Sequence, residues 1–129
     1  MVVRLVGVIL AAILVPAITF AKGDFVSSLI LDQPAPVVGD MVTFTAHYPQ
    51  EAARQQHNTQ FHNQPNVQVT CPGFQQTLYM NTKQKISGGW EGVTYPVALP
   101  AGYCSAILYY FDSNAQLHQL AWIQFTVGT

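Results

Sequence analysis

Short runs of alternating apolar and polar residues, broken every few positions by Gly, Pro, Asn or Asp, constrain this chain more than any other feature. Val42, Phe44, Ala46 and Tyr48 alternate with Thr43, Thr45 and His47. Val67, Val69 and Cys71 alternate with Gln68 and Thr70, and Pro72-Gly73 closes that run. Val93, Tyr95, Val97 and Leu99 form another, ended by Pro100-Ala101-Gly102, and Tyr103–Phe111 is the strongest of all. Successive side chains of a strand point to opposite faces, so each run predicts a strand with one buried face and one wet face. Phe25–Leu31, Thr77–Met80 and Leu117–Val127 add further strands, with a break at Ser87-Gly88-Gly89 and a hairpin turn at Asp112-Ser113-Asn114. Pro34 and Pro36 cannot donate to a ladder and predict an edge or a change of sheet after the first strand. About seven short strands with no long helix predict an all-β, antiparallel β-sandwich. The exception is Tyr48–Asn66, an amide-rich stretch in which Glu51–Gln56 has the makings of a turn or two of helix. Loops of this length in a compact domain are usually functional or disordered.

The N-terminus carries a different signal. Met1-Val2-Val3-Arg4 is a short basic start, Leu5–Val15 is apolar, Pro16 ends the run, and Thr19-Phe20-Ala21 supplies small residues before a cut. That order is expected of a secretory signal peptide over residues 1–21, leaving one domain over residues 22–129. The alternative is an uncleaved anchor, for which the apolar run is short, since a spanning helix takes about 20 apolar residues. Export makes a Cys71–Cys104 disulfide the expected state of the two cysteines. The expected location is secreted or extracellular, or facing outside on an N-terminal anchor.

Composition narrows the partners. Without Arg4, four basic residues stand against six acidic ones, with no basic patch or charge run. That argues against nucleic acid and against an anionic membrane surface. A surface poor in charge and rich in Gln, Asn, Thr and aromatics suits a neutral partner such as polysaccharide or another protein.

Two stretches carry a resemblance. Pro36-Val37-Val38-Gly39-Asp40-Met41-Val42-Thr43-Phe44-Thr45-Ala46 resembles the start of the second strand in bacterial immunoglobulin-like domains. Val97-Ala98-Leu99-Pro100-Ala101-Gly102-Tyr103, with Ala106–Tyr110 and Phe125-Thr126-Val127, is similar to their closing strands. Small secreted bacterial proteins and modules on phage particles share this layout. The resemblance implies adhesion, stalk, decoration or recognition roles and no catalytic residues. The cysteines depart from the family pattern. They fall on the third and sixth strands, so a bridge would staple one sheet rather than join two.

If Cys104 points inward, Ala106, Leu108 and Tyr110 do too, and Tyr103, Ile107, Tyr109 and Phe111 point outward. Taking Ala121, Ile123, Phe125 and Val127 as the inner set of the last strand leaves His118, Leu120 and Trp122 outside. The expected contact face is therefore Ile107, Tyr109, Phe111, Leu120 and Trp122. A contiguous apolar patch of this kind marks a binding surface, or else is covered by the Tyr48–Asn66 loop or the N-terminal segment. The expected work is non-catalytic contact with a protein or cell-surface partner, including a virion surface. A carbohydrate-binding module is the alternative, with Trp122 and Tyr109 stacking on sugars and Gln68, Asn114, Gln119 or Gln124 donating and accepting. A plain structural unit is a third reading. No cofactor or metal is expected: His57 and His62 are five apart, Asp112 and Asn114 belong to a turn, and no nucleophile, base or metal motif is present.

Overall fold

The computed structural model describes residues 25–54 and 65–129. The expected signal segment, His57 and His62 lie outside the described residues. Ten strands and one short helix follow in order: β1 (Ser28–Leu31), β2 (Met41–Val42), β3 (Phe44–Pro49), α1 (Gln50–Arg54), β4 (Asn66–Cys71), β5 (Phe74–Leu78), β6 (Met80–Ile86), β7 (Gly89–Thr94), β8 (Val97–Ala98), β9 (Gly102–Phe111) and β10 (Leu117–Val127). They form two four-stranded antiparallel sheets, ordered β1-β3-β7-β6 and β10-β9-β4-β5, and a two-stranded sheet of β2 and β8. The described part of the chain is thus all-β apart from α1, with the inner faces of the two large sheets sharing one core.

The core follows the alternation. Phe44, Ala46 and Tyr48 from β3, Val67 and Val69 from β4, and Cys104, Ala106 and Leu108 from β9 are all buried. The Phe44 and Phe125 rings meet across the sheets, 5.8 Å between centroids. Large apolar side chains such as Phe44, Val67, Val69 and Leu108 each contribute about 1.5–3 kcal/mol by leaving water. Close packing also explains Gly92, where a Cβ would come within 2.8 Å of the Met80 sulfur.

Turn chemistry sets the registers. Cys71 pairs with Phe74 across Pro72-Gly73, and Gly73 takes the left-handed φ of 71° that a Pro-Gly turn needs at its second central position. After Pro36 the chain changes sheet. Val38 donates to the Gly128 carbonyl at 2.8 Å and Gly128 donates to the Pro36 carbonyl at 2.9 Å, tying this segment in parallel to the end of β10.

Three expected strands are corrected. Val93–Leu99 is not one strand. β7 ends at Thr94, and Val97 and Ala98 pair with Val42 and Met41 in the separate small sheet. Pro96 has no N–H to continue the ladder, so the break falls there. The Thr77–Met80 strand is two strands meeting at Tyr79, with β5 in one sheet and β6 in the other. β6 escapes a search for alternation because Asn81–Lys85 are all exposed on a sheet edge, where charged residues discourage further pairing. The first strand begins at Ser28 rather than Phe25.

Cys71 and Cys104 form a disulfide between the adjacent strands β4 and β9, next to the Thr70–Ser105 pair, with Cα atoms 4.3 Å apart. It staples one sheet and closes a separation of 33 residues. Replacing both cysteines by serine is expected to lower unfolding free energy by about 3–4 kcal/mol on the chain-entropy account, as measured by urea denaturation. The Tyr48 hydroxyl is buried and has no hydrogen-bond partner among the described residues. Burial pushes its phenol up from 10.0 to about 12. The folded protein therefore holds this proton more tightly than the unfolded chain. Stability from this group is complete below pH 10 and is lost as pH rises toward about 12. Tyr48→Phe is expected to leave stability at neutral pH unchanged or raise it by about 1 kcal/mol. It is also expected to shrink the alkaline loss measured by thermal unfolding across that range.

Candidate functional site: the outer face of an uncharged sheet

β4, β5, β9 and β10 contain no Lys, Arg, Asp or Glu at all. The only titratable side chains they carry besides the bridged cysteines are tyrosines and His118. The opposite sheet differs, with Lys83, Lys85 and Glu91 on its strands and His47 bonded to Glu91 at 2.9 Å. There Gln50 accepts from both Lys85 Nζ and Trp90 Nε1, each at 3.0 Å.

Strand pairing places the outward side chains of the uncharged sheet in register. Tyr103 lies opposite Thr126, Ser105 opposite Gln124, Ile107 opposite Trp122, Tyr109 opposite Gln119, and Phe111 opposite Leu117. On the other side of β9, Gln68 lies opposite Ile107 and Thr70 opposite Ser105. Trp122 is 53% exposed, Leu117 54% and Tyr103 62%. Tyr109 and Phe111 are half-buried and meet edge to face, 5.8 Å between ring centroids. The Tyr103 hydroxyl donates to Gln124 Oε1 at 2.8 Å. Gln68, Ile107, Tyr109, Phe111, Leu117 and Gln119 line a shallow open groove of about 190 Å³.

This arrangement brings Ile107, Tyr109, Phe111 and Trp122 together on one face and corrects the expectation for Leu120. The β9–β10 register shifts between Gln119 and Ala121. Leu120 is the extra residue of this bulge and packs against the core. Beyond the bulge the faces are exchanged, as a one-residue slip requires. His118 turns toward β9's inner set and stacks on Tyr110, 4.9 Å between centroids and 11° between planes. Leu117 and Gln119 take the outward places. Leu120-Ala121-Trp122-Ile123 is the signal that could have revealed this, since four successive apolar residues cannot share one face of a regular strand.

The β9–β10 hairpin holds the groove's end. Asp112 Oδ1 accepts from the N–H groups of Asn114 at 2.8 Å and Gln116 at 2.9 Å, and Oδ2 lies 2.7 Å from His118 Nε2. The His118 hydrogen bond, followed by the backbone donors, holds the Asp112 carboxyl below its ordinary range. Burial, reinforced by the carboxylates of Glu51 and Asp112, raises the Tyr110 phenol. Ala115 completes the turn with a left-handed φ of 61°. Among the described residues, no group of three or more His, Cys, Asp or Glu side chains is placed to hold a metal ion.

No protein-family model, curated protein or solved structure matches this chain.

Because the Asp112 carboxyl is held low, its contribution is complete above the ordinary carboxylate range and is lost as pH falls through its lowered value. Hydrogen exchange of the Asn114 and Gln116 amides is expected to quicken relative to the core amides as Asp112 protonates. Ala115→Gly removes the left-handed strain and is expected to stabilise the protein by up to about 1 kcal/mol, read by urea unfolding.

Proposed function

We propose that the chain is a secreted immunoglobulin-like β-sandwich that works by non-catalytic contact at a cell or virion surface. Its contact surface is the outer face of the β10-β9-β4-β5 sheet. The observation that carries this reading is the uncharged face itself. Trp122, Tyr103 and Leu117 stand half or more exposed on it, beside a groove walled by Tyr109 and Phe111. Tyr and Trp anchor interfaces because they desolvate a large area at little entropic cost. Strand order supports the immunoglobulin-like part, since four strands ordered 1-3-7-6 face four ordered 10-9-4-5. First, second, fifth and fourth strands against seventh, sixth and third is the family's arrangement, once the two short strands of the small sheet and the added β5 edge are set aside. The buried disulfide fits an oxidising compartment.

A protein partner and a polysaccharide both remain chemically suited to this face. The amides interleaved with its aromatics favour the second: Gln68, Gln119 and Gln124 stand beside Ile107, Tyr109 and Tyr103.

The test is co-sedimentation with intact cells and with virions, comparing the wild-type protein with a Tyr109→Ala, Trp122→Ala double variant. The expected outcome is loss of binding with the fold retained by circular dichroism. Equal binding by the variant would move the contact surface elsewhere.

A further inference from the structure

We infer that the occupant of this face is a neutral oligosaccharide chain lying along β9; the inference rests on the contact face proposed above. Three features select it. The first is charge. The four strands carry no Lys, Arg, Asp or Glu, and the carboxylate at the groove's end, Asp112, is already engaged by His118 and two backbone N–H groups. A charged ligand would lose hydration that this face does not replace. A ligand matched to this face is itself neutral. The second is the kind of polar group available. A carboxamide presents both donor and acceptor, and hydroxyls do the same. Gln68, Gln119 and Gln124 therefore match a ligand dense in hydroxyl groups, where a hydrocarbon surface would leave the amides of a closed interface unpaired. Gln124 is already oriented by the Tyr103 hydroxyl at 2.8 Å. The third is shape. Outward side chains of β9 recur every second residue, so the face from Tyr103 to Phe111 runs about 27 Å at about 3.4 Å per residue. Half-exposed Trp122 sits near its middle, opposite Ile107, and the groove beside Tyr109 lies at one end. That is room for several sugar rings in a row, with apolar ring faces on the aromatics and hydroxyls on the amides. An extended peptide would gain most from backbone pairing, which β9, laddered to β4 and β10 on its two sides, does not offer.

Full-length protein is tested by affinity electrophoresis and pull-down. The probes are the neutral polysaccharides cellulose, chitin, dextran and a β-1,3-glucan, with alginate as the acidic control. Each is run at low and at high sodium chloride, and intact cells are included in parallel. Variants are Trp122→Ala, which removes a stacking ring, and Gln119→Leu, which removes an amide while keeping the apolar area. The expected result is retention on at least one neutral polysaccharide, little changed by salt, and weakened at least about tenfold by either variant. Retention on no neutral polysaccharide would overturn the inference, as would binding that Gln119→Leu leaves intact. Binding to cells that Trp122→Ala abolishes, with no polysaccharide retained, would leave the contact face standing and assign it to a protein partner. Cell binding indifferent to Trp122→Ala and to the double variant would remove the face itself.

Discussion

β9 is the strand on which the rest of the structure depends. It is the longest uninterrupted alternation in the described chain, and it lies between β4 and β10 with ladders on both sides. Its inner residues Cys104, Ala106, Leu108 and Tyr110 are buried in the shared core. Once those four face inward, pleating leaves Tyr103, Ile107, Tyr109 and Phe111 no choice but the outer face. The Cys71–Cys104 bridge fastens β4 to β9 beside the Thr70–Ser105 pair, so a slip between these strands would break a covalent bond as well as a core. The same alternation that builds the core thus builds the candidate contact surface.

The two large sheets divide the chemistry between them. The β1-β3-β7-β6 sheet carries the charged strand residues, with Glu91 bonded to His47 and Lys85 to Gln50. Asp32 is held by the hydroxyls of Thr43 and Thr45, each at 2.7 Å. The β10-β9-β4-β5 sheet carries amides, hydroxyls and aromatics in their place. Such a surface stays hydrated through hydrogen bonding without attracting ions. That is the basis for proposing a neutral partner.

Much of this was legible in the chain. The all-β class, the buried face of β3, the inner and outer sets of β9 and the Asp112 turn follow from alternation and turn residues. The disulfide follows from an even cysteine count, and its place within one sheet from the resemblance to immunoglobulin-like domains. What escaped did so for identifiable physical reasons. β6 is an exposed edge whose polar side chains have no buried face to alternate with. Pro96 divides a run that looks continuous when only apolar spacing is counted. The bulge at Leu120 is decided by tertiary packing: Leu120 gains the core, and Leu117 and Gln119 are turned out in consequence. A two-residue period extended through that point predicts the wrong face for every residue on its far side.

The bulge at Leu120 sorts core from outer face in β10. Urea unfolding of Leu120→Ala beside Trp122→Ala tests this directly. Leu120 packed against the core predicts a loss of about 2 kcal/mol for its truncation. Half-exposed Trp122 on the outer face predicts a loss below about 1 kcal/mol. The reverse order, with Trp122→Ala the more destabilising, would put Trp122 in the core and contradict both the register and the surface built on it.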